Sequence, residues 1–200
     1  MSEKKYISFG LEKLVNRREK EIALNQHAIA IWFYGLSGSG KSTLAVRLEK
    51  ALYDKNFKVQ ILDGDIVREG INKGLSFSDE DRMENIRRVS EVNRLFIDCG
   101  IITINSFVSP TIQMRQAAKE IIGEDNFIEI FINSPIEVCE ARDPKGLYKL
   151  ARLGIIKSFT GIDDPFEVSE SSDLVVDTTF SIDDSVNQIL TFLLPKIELK

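Results

Sequence analysis

The sequence predicts an α/β fold in which a five-stranded parallel sheet carries helices on both faces. Three observations lead there. Short apolar runs rich in β-branched and aromatic residues alternate with longer stretches of helical periodicity, the pattern of buried parallel strands joined by crossovers. No internal repeat or low-complexity segment breaks the alternation. A glycine-rich stretch also stands between the first strand and the first helix that follows it. With 200 residues, 43% of them hydrophobic, the chain can bury one full core, so one domain is expected.

The elements follow in order. Residues 1–26 are polar and charged, and LEKLVNRREKEIAL within them predicts a helical extension ahead of a single domain over 27–200. Ala28 to Tyr34 (AIAIWFY) is the first strand. Leu44, Val46, Leu48, Ala51 and Leu52 then form an approximately helical apolar pattern that ends near Asn56. Phe57 to Leu62 (FKVQIL) is the second strand and ends at Asp63-Gly64-Asp65. Ser78 is the expected N-cap of a long helix to about Cys99, with Asp79, Glu80 and Asp81 at its positive end. Ile101 to Phe107 is the third strand, Gln113 to Ile122 a helix and Phe127 to Ile132 the fourth strand. Pro135 opens a helix to about Arg142, Leu174 to Asp177 is the fifth strand, and Ser181 to Leu194 is the closing helix. Right-handed crossovers then gather the strand ends, and the functional groups on them, at one edge.

Residues 35 to 43 read Gly-Leu-Ser-Gly-Ser-Gly-Lys-Ser-Thr and fit G-x-x-x-x-G-K-[ST] at Gly35, Gly40, Lys41 and Ser42. Strand, glycine loop and helix occur in the order this phosphate-binding motif requires, so the architecture is expected to be the three-layer P-loop NTPase fold. Glycines let backbone N–H groups turn inward around phosphate oxygens at the positive end of a helix. The loop Gly35, Leu36, Ser37, Gly38, Ser39 and Gly40, with Lys41, Ser42 and Thr43, is thus the expected ATP site. Lys41 would bridge the β- and γ-phosphates, and Ser42 would offer its hydroxyl to Mg²⁺. A glycine loop that only joined strand to helix would have no use for Gly-Lys-Ser at the helix start.

Composition excludes several function classes. A net charge of −5 argues against a general nucleic-acid surface. No run of 18 apolar residues predicts a membrane span, and the charged start MSEKKYISFG does not read as a signal peptide, so the cytoplasm is the expected compartment. Cys99 and Cys139 are too few for a disulfide scaffold and lack metal spacing. His27 stands alone beside a strand and reads as structural. Arg142, Lys145, Lys149, Arg152 and Lys157 face one acid, Asp143, in the same stretch, a local positive field of the kind nucleotide handling needs. Gly146, Gly154 and Gly161 punctuate this segment, which predicts a mobile lid over about 143–163.

Asp63 and Asp65 lie at the functional edge. One carboxylate would hold metal-bound water and the other would position or deprotonate an acceptor hydroxyl, although Asp-Gly-Asp is also ordinary turn composition. Arg68, three residues after Asp65, favours a site because it can reach an anionic acceptor. On the long helix Arg82 and Asn85 share one stripe, whereas Arg87, Arg88 and Arg94 among glutamates read as a solvated salt-bridged face.

Together GLSGSGKST, LDGDIVR (Leu62 to Arg68), GLSFSDEDRMENIRRVSEV (Gly74 to Val92), FVSP (Phe107 to Pro110), CEARDPKGLYKLAR (Cys139 to Arg152) and IKSFTGIDDPFE (Ile156 to Glu167) resemble the adenylyl-sulfate kinase family. The resemblance runs in order from about Ile31 to Asp177. It implies transfer of the ATP γ-phosphate to the 3′-hydroxyl of adenylyl sulfate, with Mg²⁺, giving 3′-phosphoadenylyl sulfate and ADP. It further implies that Asp65, Arg68, Phe77, Arg82, Asn85, Val108, Ser109, Lys145, Ser158 and Phe159 hold the acceptor, with Phe77 and Phe159 sandwiching its adenine. Arg142 and Arg152 would close over the phosphates. Lys41, Asp63 and Asp65 would carry the chemistry, with Asp63 reaching the metal through water, and Ser109 matches a serine treated in the family as a phosphoserine intermediate. A homodimer and a separate ATP sulfurylase are the expected partners, besides the small-molecule substrate. Thr111 stands where the family usually has an aromatic residue, and Ser158 where glycine is common. Two rivals stay open at this point: a kinase for a sugar acid or nucleoside monophosphate, and a P-loop switch that reports nucleotide state to a partner.

Overall fold

The computed structural model describes residues 14–199. Its sheet has five strands, all parallel, in the order β2-β3-β1-β4-β5. The strands are β1 (Ala30–Tyr34), β2 (Val59–Asp63), β3 (Ile102–Ser106), β4 (Phe127–Asn133) and β5 (Leu174–Asp177). Around them lie α1 (Arg17–Leu24), α2 (Lys41–Asp54), α3 (Gly64–Glu69), α4 (Asp79–Asp98), α5 (Ile112–Ile122), α6 (Ile136–Arg142), α7 (Leu147–Arg152) and α8 (Ile182–Ile197).

Why β1 is central follows from its side chains. Successive residues of a strand point to opposite faces. Ile29, Ile31 and Phe33 enter one core with Leu44 and Leu48 of α2 and Ile189 and Leu193 of α8. Ala28, Ala30, Trp32 and Tyr34 enter the other, with Ile86 and Val89 of α4 and Met114 and Ala118 of α5. No polar residue interrupts either set, so neither face can turn to water, and the strand must lie in the middle of three layers. On β3 the second face is polar instead: Thr103 and Asn105 are buried, and both bond to Asn93 of α4, which satisfies them without water. From β1 the chain runs outward to β2, returns to β3, and then crosses to β4 on the other side. The strand order therefore reverses beside β1, and a crevice opens above it.

The long helix begins at the expected cap, with the Ser78 hydroxyl accepting from the Asp81 N–H. The last helix outruns the expected end at Leu194 and passes Pro195 to Ile197. Ile197 is fully buried, and its carbonyl accepts from the His27 N–H at 2.7 Å. Two helices, α3 and α7, were not expected. Of the predicted N-terminal helix, Arg17–Leu24 is helical with Asn16 as cap, while the stretch before Leu14 lies outside the described residues.

This helix is docked rather than appended. Glu21 is buried and accepts from the Ala28 N–H, Arg17 Nε and His27 Nδ1, each within 3.0 Å, so His27 is structural. Gln26 closes the same end of the sheet: its amide accepts from Lys58 N–H and donates to the carbonyls of Lys58 and Gly100. That end is opposite the strand termini where the site is built.

Candidate active site

The glycine loop leaves β1 and ends at Gly40, which caps α2 in a left-handed conformation (φ 100°). At Gly38 the backbone is also left-handed (φ 74°), and a Cβ there would lie 2.8 Å from the Cys139 carbonyl oxygen. The loop thus packs against α6 too closely for any side chain. Lys41 folds back into it: Nζ donates to the carbonyls of Gly35 and Leu36 at 2.9 and 2.7 Å, with Ser39 Oγ at 3.5 Å. Burial lowers its pKa to about 8; Lys145 pushes the same way, while Asp63 and Asp65 oppose. An ammonium short of counter-charge beside free loop N–H groups is suited to polyphosphate.

Parallel register brings Asp63 at the end of β2 beside Ser106 at the end of β3. Ser42 Oγ donates to Asp63 Oδ2 at 2.7 Å and lies 3.2 Å from Ser106 Oγ. The other Asp63 oxygen accepts from the Asp65 N–H and so caps α3. Asp65 in turn forms an ion pair with Lys145 across the mouth of the site. Among the described residues no cluster of three histidine, cysteine or carboxylate side chains surrounds one point. A cation here would meet hydroxyl, carboxylate, water and phosphate oxygens, the donor set that suits Mg²⁺.

A cavity of about 1190 Å³ runs from this loop to the first turns of α4. Ser37, Gly38, Gly40 to Thr43, Arg142, Thr178 and Phe180 line one end. Arg68, Phe77, Arg82, Asn85, Val108, Ser109 and, from the basic segment, Lys145, Ser158 and Phe159 line the other. Phe77 is 64% exposed, far outside the range for a core phenylalanine, and Arg68 stacks 4.3 Å from its ring centroid. Phe159 meets Tyr148 edge-on at 5.0 Å. Arg82 ties the long helix to the basic segment, donating to Phe77 O, Ser158 O and Thr160 Oγ1. Ser158 has a left-handed backbone (φ 54°), which explains why this position suits glycine. Thr111 caps α5, its hydroxyl accepting from the Met114 N–H.

Asn85 is buried, and its Oδ1 accepts from Asn72 Nδ2 at 2.9 Å. Ser109, also left-handed (φ 42°), accepts through Oγ from Trp32 Nε1 at 3.1 Å. Among the described residues no carboxylate or imidazole hydrogen-bonds that hydroxyl.

Four expected residues do not line the cavity: Gly35, Leu36 and Ser39 lie behind the loop, where the first two hold Lys41 through their carbonyls and Ser39 is fully buried, and Arg152 points away. Arg152 makes a two-point pair with Glu140 on α6 and does not line the cavity, because α7 turns that side of the segment outward. Arg142 does reach the loop, donating to Thr178 O at 2.8 Å and Gly38 O at 3.3 Å. Ser106, Thr178, Phe180 and Asn72 go unnoticed in the sequence. For the first three, the place at or just beyond a strand's carboxyl end is the signal that marks them.

The sequence matches the family model for adenylylsulphate kinase over residues 27–177. The chain belongs to this family. The family consists of ATP-dependent kinases. An adenylyl-sulfate kinase from Bacteroides thetaiotaomicron is 52% identical over 201 residues, spanning the whole of both chains. Another from Clostridium kluyveri is 50% identical over 186 residues, 92% of this chain and 93% of that one. Among solved structures, the Mycobacterium tuberculosis APS kinase in complex with AMPPNP and APS superposes with a TM-score of 0.81 at 40% identity, covering 84% of this chain and 98% of that one. Among the described residues of this kinase, no helix is long and apolar enough to cross a membrane.

Proposed function

We propose that this chain transfers the γ-phosphoryl group of ATP to the 3′-hydroxyl of adenylyl sulfate, giving 3′-phosphoadenylyl sulfate and ADP. The observation that carries the reading is the single cavity joining the Lys41 loop to the exposed ring of Phe77, in a chain whose whole length aligns with adenylyl-sulfate kinases. A sugar acid offers no ring to stack, and a nucleotide switch needs no second subsite.

Loop N–H groups of Gly38 and of Gly40 to Ser42 and the Lys41 ammonium grip the phosphates, with Arg142 at their outer side. Ser42 and, through water, Asp63 would hold Mg²⁺, which when bound neutralises charge on the β- and γ-oxygens. The acceptor's adenine lies between Phe77 and Phe159, with Arg68, Arg82, Asn85, Val108 and Ser109 around its anionic and ribose groups. The 3′-oxygen attacks phosphorus in line, the new O–P bond forms as the bond to the β-bridging oxygen breaks, and ADP leaves. Both Asp63 oxygens are already engaged, so Asp65 receives the hydroxyl proton, and Lys145 holds that carboxylate in place. Ser109 acts as a substrate contact, since a covalent phosphoserine would need an activating base. Arg152 is left out of the phosphate set. Residues 143–163 act as the lid that excludes water. A homodimer in the cytoplasm, supplied by a separate ATP sulfurylase, completes the reading, and residues 14–26 serve as a docked extension.

The test is ADP release from Mg²⁺·ATP with adenylyl sulfate, AMP or gluconate as acceptor, the phosphate position being assigned by mass spectrometry and NMR. Turnover with adenylyl sulfate alone, giving a 3′-phosphate, is expected; tight ATP binding without that turnover would overturn the reading.

A further inference from the structure

A buried arginine on α5 joins three segments, one of which presents Ser109 to the acceptor end of the cavity. Arg115 is 1% exposed and lines no part of the large cavity. Its planar fork aims each N–H at a different stretch of chain. Nε donates to Glu129 Oε1 on β4 at 2.9 Å, one terminal nitrogen to the Ser109 carbonyl at 2.7 Å, and the other to the Glu167 carbonyl at 2.8 Å. The face of the guanidinium rests 4.0 Å from the Tyr34 ring centroid.

Two of the gripped groups frame the site. Ser109 holds a left-handed backbone, a conformation that a non-glycine residue keeps only where its surroundings enforce it. Glu167 stands where the chain returns from the basic segment. Its N–H donates to the Pro110 carbonyl at 2.8 Å, and its Oε2 accepts from the Ile112 N–H at 2.7 Å. Next to it Phe166 stacks on Tyr34, whose hydroxyl accepts from the Ser169 N–H. The return of the segment is therefore fastened to the very turn that presents Ser109.

We propose that Arg115 is a positioning residue for the acceptor subsite: it holds the Ser109 turn and fastens the fixed end of the lid to it, leaving ATP binding to the glycine loop. This inference rests on the reading of the cavity given under Proposed function. Lysine carries one compact ammonium on a flexible stem and cannot serve three segments at once. Arg115→Lys therefore keeps the charge opposite Glu129 and loses the fork.

The chain has one tryptophan, Trp32, and its indole donates to Ser109 Oγ while stacking on Phe107 at 5.3 Å. Its fluorescence reports directly on the turn. For Arg115→Lys with a cooperative melt, we expect the KM for adenylyl sulfate to rise at least about tenfold, the KM for ATP to stay within about twofold, and the Trp32 emission to shift. Unchanged constants, a parallel rise in both, or a KM change with unaltered emission would overturn the proposal. If that variant does not fold, Glu129→Gln slackens the fork from outside the cavity. It should raise the KM for adenylyl sulfate about threefold or more with the KM for ATP unchanged, and equal changes in both would overturn the proposal. Wild-type protein inactive on adenylyl sulfate would sink the functional reading and this inference with it; active wild-type with an unaltered Arg115→Lys would sink this inference alone.

Discussion

ATP binding should draw a proton from solution at slightly alkaline pH, because Lys41 sits in a loop that disfavours its charge until phosphate arrives. Burial is the main cause of the fall in its pKa from the usual 10.5 to about 8. That fall corresponds to about 3 kcal/mol against the charged form in the free protein. Phosphate oxygens oppose it, so the pKa rises again in the complex. Free enzyme at pH 8 is half-deprotonated at this site and bound enzyme is charged. Uptake of about half a proton is therefore expected at pH 8, and about a tenth at pH 7, with affinity dropping up to about tenfold per unit of pH above 8. Calorimetry with a non-hydrolysable ATP analogue in two buffers of different ionisation heat measures the uptake. Zero uptake at both pH values, or flat affinity from pH 7 to 9, would refute the reasoning. The same linkage acts on folding: the unfolded chain binds more protons between about pH 8 and 10.5. The penalty from Lys41 is thus full below pH 8 and is relieved as pH rises through that window.

Three further outcomes can be checked by substitution. Gly38→Ala places a methyl group 2.8 Å from the Cys139 carbonyl at a left-handed position; thermal melts should show a loss of about 2 kcal/mol, and ATP affinity should fall about tenfold. Arg142→Ala should raise the KM for ATP about tenfold, whereas Arg152→Ala, which frees only an exposed pair with Glu140, should leave it within about twofold and barely move the thermal melt. Ser158→Gly should leave stability within about 0.5 kcal/mol, since relief at φ 54° offsets the added freedom of the unfolded chain, while Ser158→Val should destabilise by about 2 kcal/mol and slow turnover.

Much of this structure is legible in the sequence, for reasons that differ from place to place. Ala28 to Tyr34 is apolar on both alternating faces, which leaves a buried parallel strand as its only home. Ser78 and the three acids after it mark the start of α4 because capping is a local interaction. Helices α3 and α7, six residues each, are too short to show periodicity, and α7 hides within a run of charges that reads as a loop. That run also explains Arg152: clustering shows that positive charge is near, but not which side of a helix each residue takes. The Arg82 contacts with Ser158 and Thr160 span nearly eighty positions, so only the folded chain displays them. Asn72, which sets the amide of Asn85, belongs to no motif and carries no charge.

The plug formed by Gln26 has a bearing on how this domain can be handled. A chain cut at residue 27, where the family match begins, would strip the Lys58 N–H and the carbonyls of Lys58 and Gly100 of a single shared partner. It would also leave the Ala28 N–H without the Glu21 carboxylate. A minimal expression boundary therefore belongs before Asn16, so that the capped first helix stays with the sheet it seals.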